Sequence, residues 1–154
     1  MRKKLITFLA TGAYAGYLPR MPGTFGTLWG VPLAYISSRM PLAGQAAFTV
    51  AVCLVSVYIA GQECGNTGEK DPSRVVIDET AGYLVSFFLM PFTLFNVILV
   101  FILFRFFDIL KPYPVGAIDR GVGGGTGVVL DDIGAGVYAG ASAHLITYLA
   151  LRWG

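Results

Sequence analysis

Apolar residues fill this chain in long blocks, and the polar breaks between them define the elements. Residues 42–60, "LAGQAAFTVAVCLVSVYIA", carry no charge and match the ~20 residues that a bilayer-crossing helix needs. Before them, residues 12–26, "GAYAGYLPRMPGTFG", read as loop, because Pro19 and Pro22 disfavour helix; residues 24–40 then predict a helix short for a ~30 Å hydrocarbon core. The apolar stretch 75–107 is too long for one span and has Pro91 at its middle. It predicts two antiparallel helices, 75–90 and 94–110, turning at "MPFT", in preference to one proline-kinked span. The hairpin returns Asp78 and Glu79 to the membrane side of Arg105 and Asp108, whereas a single span separates them. Residues 120–130, "RGVGGGTGVVL", read as a glycine loop, and 131–153 as a last span rich in small residues that let helices approach closely. The expected fold is all-α: a single-domain, polytopic membrane bundle of about five membrane-embedded helices, some short.

Composition agrees with a membrane protein. Of 154 residues, 55% are hydrophobic and 13% charged, and mean hydropathy is +0.68, too apolar for an ordinary soluble domain. A net charge of +2 with no basic stripe beyond Arg2-Lys3-Lys4 argues against nucleic acid. Cys53 and Cys64 have no CxxC spacing and imply neither a disulfide framework nor redox chemistry. The N-terminal stretch does not read as a signal peptide, so Met1 is expected to start the working protein. All nine acids fall between Glu63 and Asp132, and counting basic residues places them at the cytoplasmic interface.

Those acids carry the candidate chemistry. Carboxylates near hydrocarbon are costly, so they are normally paired or functional. Asp78 and Glu79 are adjacent in "VIDET"; Arg105, Asp108 and Lys111 share one helix face; Asp131 and Asp132 stand at an expected helix start. Carboxylates gathered so closely repel unless a cation sits among them, and hard oxygen donors favour Mg²⁺ or a similar divalent ion. With Arg105, Lys111 and Arg120 nearby, the mixture suits a phosphate bridged by metal. Structural readings compete: a helix-dipole role for one of Asp131 and Asp132, an i,i+3 pair of Arg105 with Asp108, a turn or cap at Asp71, solvated loop charges at Glu63, Glu69 and Lys70, and a mere linker in the glycine stretch. The single histidine, His144, reads as a packing residue, which leaves no histidine nucleophile, zinc site or Ser/His/Asp triad. Nor does Cys64 have an arginine at the spacing of a cysteine phosphatase loop.

Three blocks, "ATGAYAGYLPRMPGTFGTL", "DPSRVVIDETAGY" and "FRFFDILKPYPVGAIDRGVGGGTGVVLDDIGAG", together resemble the phosphatidylglycerophosphatase A family over most of the chain. Thr27 stands where the family often has serine, and "GVGGGTG" is richer in glycine than usual; neither departure touches a charged position. The resemblance implies a Mg²⁺-dependent phosphatase at the cytoplasmic membrane face of a bacterial cell, converting phosphatidylglycerophosphate to phosphatidylglycerol. Asp78 and Glu79 match its central acidic pair, Arg105, Asp108 and Lys111 its R-x-x-D-x-x-K-P motif, Asp119, Arg120, Asp131 and Asp132 its C-terminal block, and Pro22, Gly23 and Thr24 its PGT element. Roles are expected as follows. Glu79, Asp131 and Asp132 hold Mg²⁺, with Asp78 as a further ligand or supporting partner. Lys111 neutralises phosphoryl oxygens, Arg105 or Arg120 orients the phosphate beside Gly23 and Thr24, and Asp108 activates water or attacks covalently. Two rivals are a transporter or proton pathway, disfavoured because the acids cluster at helix ends, and a CDP-alcohol phosphotransferase, whose D-G-x-x-A-R core is missing.

Overall fold

The structure, a computed structural model, describes residues 1–153, with side chains throughout except at 118–120 and 153. Among the described residues there are seven α-helices and no strand: α1 (Arg2–Ala10), α2 (Pro22–Ser38), α3 (Leu42–Thr67), α4 (Ile77–Ser86), α5 (Leu94–Leu110), α6 (Val115–Gly121) and α7 (Gly124–Trp153), with a 3₁₀ turn at Ala15–Tyr17. The all-α expectation therefore holds. Of these helices, α3 alone is both long and apolar enough to cross a membrane, with mean hydropathy 1.9 over its best window.

The hairpin at Pro91 forms as the sequence predicts. Thr93 caps α5 by accepting the Asn96 N–H at 3.2 Å, and Lys111 ends it in the left-handed region (φ 44°). Four boundaries differ from expectation. α2 starts at Pro22, inside the expected loop, because proline at the first helical position lacks only an N–H that would be unbonded there anyway. α3 continues past residue 60 to Thr67 and stops at Gly68 (φ 76°). This extension puts Glu63 inside the protein, not in a solvated loop: it is 2% exposed, accepts the Thr7 hydroxyl at 2.9 Å and lies 3.5 Å from Arg74 Nε. α4 is shorter than expected. Finally, α7 begins at Gly124, so most of the glycine stretch is helical and Asp131 and Asp132 lie two turns inside a helix, where the N-terminal dipole no longer explains them. Close packing compensates the helix-weakening glycines: a Cβ at Gly125 would stand 2.2 Å from Gly61 N and 2.4 Å from Val57 O of α3. Two further helices, α1 and α6, were not expected.

α4 is the axis of the bundle. Thr80 to Leu84 and Ser86 are buried, and α2, α3, α5 and α7 pack around them. Its crossing with α7 brings backbone against backbone, since a Cβ at Gly136 would lie 2.5 Å from Gly82 O and one at Gly82 would lie 2.7 Å from Asp132 O. Tyr83, Phe87, Val100 and Phe104 fill the space beside Ala135, Ala139 and Ala143. A second cluster joins α1, α3 and α7 through Ile6, Ala10, Ile59, Ala60, Val128 and Val129.

Candidate active site

Three helices deliver polar side chains to one end of the bundle, and a fourth packs against them. The first turn of α4 carries Asp78 and Glu79, the last turns of α5 carry Arg105 and Asp108, α7 carries Asp131 and Asp132, and the first turn of α2 closes the group from the side. One oxygen from each of Asp78, Glu79 and Asp132 lies within 4.8 Å of the others. Each of these carboxylates has a buried oxygen without a hydrogen-bond partner: Asp78 Oδ1, Glu79 Oε2 and Asp132 Oδ2. Buried acceptors of this kind are costly to leave unsatisfied, and three hard oxygens so placed fit a divalent cation.

The cations stand on the rim. Arg105 Nη1 binds Asp108 Oδ2 at 2.6 Å and reaches Glu79 Oε1 at 3.9 Å. Lys111 donates to Asp131 Oδ2, and the Asp132 N–H donates to Asp131 Oδ1 at 3.1 Å. Asp131 thus faces Lys111 and is not among the three converging carboxylates. Among the described side chains, five carboxylates meet two cations, which leaves the site anionic. The cluster lies at the polar end of its helices, ahead of the apolar length of α7 at residues 133–151. There burial first, and then the Glu79 charge, pushes the Asp78 carboxyl well above the usual carboxylate range. Glu79 is raised by burial, with Asp78 and Arg105 partly offsetting it. Such a site takes up either protons or a metal ion.

Gly23 is buried against this cluster, because a Cβ there would stand 2.2 Å from Glu79 Oε1 and 2.9 Å from Arg105 Nη1. Thr24, beside it, is half-buried. Two residues that the sequence reading did not single out complete the contact. A Cβ on Gly26 would lie 3.0 Å from Glu79 Oε2, and the buried Thr80 hydroxyl donates to Gly26 O at 2.8 Å, tying the acidic turn to α2. The signal for them was present as the spacing Gly23, Gly26, Gly30, Ala34, a small-residue stripe along one helix face. The side chains of Asp119 and Arg120 lie outside the described residues.

Known proteins identify the family. Residues 8–147 match the family model described as phosphatidylglycerophosphatase A. The chain is 31% identical to phosphatidylglycerophosphatase A of Escherichia coli K12 (94% of this chain, 83% of that protein) and 35% identical to that of Haemophilus influenzae (95% and 91%). It is also 35% identical, over 97% of its length and 94% of the relative's, to a Bacteroides thetaiotaomicron protein provisionally named a phosphatidylinositol-3-phosphatase. No solved structure matches it. A match over nearly the whole chain, with the acidic end of the bundle inside it, shows that the chain belongs to the phosphatidylglycerophosphatase A family of phosphatases.

Proposed function

We propose that this enzyme hydrolyses the terminal phosphomonoester of phosphatidylglycerophosphate, releasing phosphatidylglycerol and inorganic phosphate, with Mg²⁺ held by Asp78, Glu79 and Asp132. The observation that carries the reading is the set of three unpartnered carboxylate oxygens beside Arg105, with Lys111 held on the neighbouring Asp131, within a chain of this family. In this reading the chain is a multi-pass protein of the bacterial cytoplasmic membrane, with α2, α3, α5 and α7 embedded and the acidic end facing the cytoplasm. The uncharged residues 42–60 of α3 support a membrane crossing, and the basic residues Arg2, Lys3 and Lys4 support the orientation.

Mg²⁺ held there supplies positive charge against the phosphoryl oxygens. The chain's own residues do the rest. Arg105 and Lys111, both partly exposed, turn toward the incoming phosphate and add charge where it accumulates. Asp131 keeps Lys111 in position. Gly23 and Thr24 present the N-terminal end of α2, whose dipole favours an anion. Asp108 accepts a proton from water as its oxygen bonds to phosphorus and the ester P–O bond breaks; the proton then passes to the leaving glycerol oxygen.

Phosphate release from phosphatidylglycerophosphate by the purified protein tests the reading, with Mg²⁺ present and after chelation, and with phosphatidylinositol 3-phosphate as the competing head group. Asp108→Asn is expected to lose ~10²–10⁴-fold in turnover while keeping metal affinity. Normal turnover by that variant would remove Asp108 from the chemistry.

A further inference from the structure

We infer that the cleft between α2 and α5 is the seat of one acyl chain of the lipid substrate. The inference rests on the lipid phosphatase reading above and assigns the hydrocarbon half of the same ligand. The cleft encloses about 230 Å³ and is lined by Leu28, Val31, Val97, Ile98 and Phe101. No polar side chain lines it, and it opens outward, with Leu28 48% and Ile98 51% exposed.

Its position relative to the charged site identifies the occupant. On α5 the residues Val97, Phe101, Arg105 and Asp108 follow at intervals of four, four and three, which places them along one helix stripe. On α2 the series Thr24, Leu28, Val31 does the same. Each stripe therefore runs from a site residue directly into the cleft wall. At the polar end the Arg105 side chain reaches across to α2, since a Cβ on Gly23 would meet its Nη1 at 2.9 Å; further along the same two helices the cleft opens. From Arg105 to Val97 the wall extends ~12 Å along the helix axis, into the apolar length of the bundle. A phosphate held beside Arg105 and Gly23 leaves its attached chain at the mouth of this cleft. The larger apolar groove of about 480 Å³, lined by Val50, Val137 and His144 among others, has no wall residue on α2 or α5, the helices that carry Gly23 and Arg105.

The test measures kcat/KM in detergent micelles for phosphatidylglycerophosphate with long acyl chains and for its deacylated head group, and takes their ratio. Filling the cleft with Val31→Phe or Val97→Phe is expected to lower that ratio about tenfold, whereas Val50→Phe in the other groove leaves it unchanged. Phe101→Ala, which widens the cleft, shifts the preference toward bulkier, branched chains. Head-group turnover by each variant reports on folding. An unchanged ratio in both filling variants, or an equal drop with Val50→Phe, overturns the acyl seat while phosphatase activity stands. Failure of the unaltered protein to hydrolyse either compound overturns the functional reading itself.

Discussion

Gly23→Ala separates positioning from folding at a single atom. The added Cβ would stand 2.2 Å from Glu79 Oε1, where ordinary contact begins at 3.4 Å, so the carboxylate must retreat by about 1 Å. Glu79 Oε1 is the far end of a side chain and can move without the backbone following. The fold is thus expected to survive, and alanine in a helix recovers up to ~1 kcal/mol relative to glycine. Activity should not survive as well. A misplacement of ~1 Å at a catalytic group costs on the order of 10²-fold, which corresponds to ~2.7 kcal/mol of transition-state stabilisation. The expected result is an unchanged or raised unfolding temperature in detergent, a Mn²⁺ affinity weakened at least tenfold, and a kcat/KM for phosphate release reduced about a hundredfold. Gly26→Ala is the contrast: its Cβ would meet the backbone oxygen of Val76 at 2.5 Å, so stability falls together with activity. Full turnover and unaltered Mn²⁺ affinity in Gly23→Ala would refute the claim that α2 fixes Glu79.

Other consequences can be checked separately. Asp132→Asn and Asp78→Asn each remove a converging carboxylate and should reduce Mn²⁺ binding, read by electron paramagnetic resonance of the free ion, by at least tenfold. Because Asp78 and Glu79 have raised folded-state pKa values, the metal-free protein binds more protons folded than unfolded; its stability should fall as pH rises from ~4 through those values, and Mg²⁺ should restore it, as thermal unfolding at several pH values would show. Glu63→Ala orphans the Thr7 hydroxyl and releases Arg74, costing ~1–3 kcal/mol in denaturant unfolding with Mn²⁺ affinity retained. Gly125→Ala drives a Cβ into the α3 backbone and should prevent assembly of folded protein, measured as loss of the monodisperse peak on size exclusion.

What the sequence made legible was governed by local rules. Pro91 between two apolar runs defined the hairpin, and the hairpin placed Asp78 and Glu79 beside Arg105 and Asp108. Where the reading went astray, a long-range contact overrode local preference. Glycines 124, 125 and 127 look like a loop until Gly125 is seen against the backbone of α3, a contact with no local signature. Glu63 looks solvated until Thr7 and Arg74, distant in sequence, are seen to satisfy it. The partition of Asp131 toward Lys111 and Asp132 toward the acidic cluster was likewise invisible, since adjacent helical residues point ~100° apart and neither direction is fixed until α4 and α5 are in place.

The brevity of α4 bears on how the enzyme comes into being. Ten residues reach ~15 Å, about half the hydrocarbon depth of a bilayer, so this segment cannot be threaded into lipid on its own account. It must arrive already clasped to α5 and wait for α7, which follows it in the chain, to bring Asp132 beside Asp78 and Glu79. A chain cut before α7 accordingly lacks one of the three converging carboxylates, and on the proposed reading it is expected to bind neither ion nor phosphate until that helix has docked.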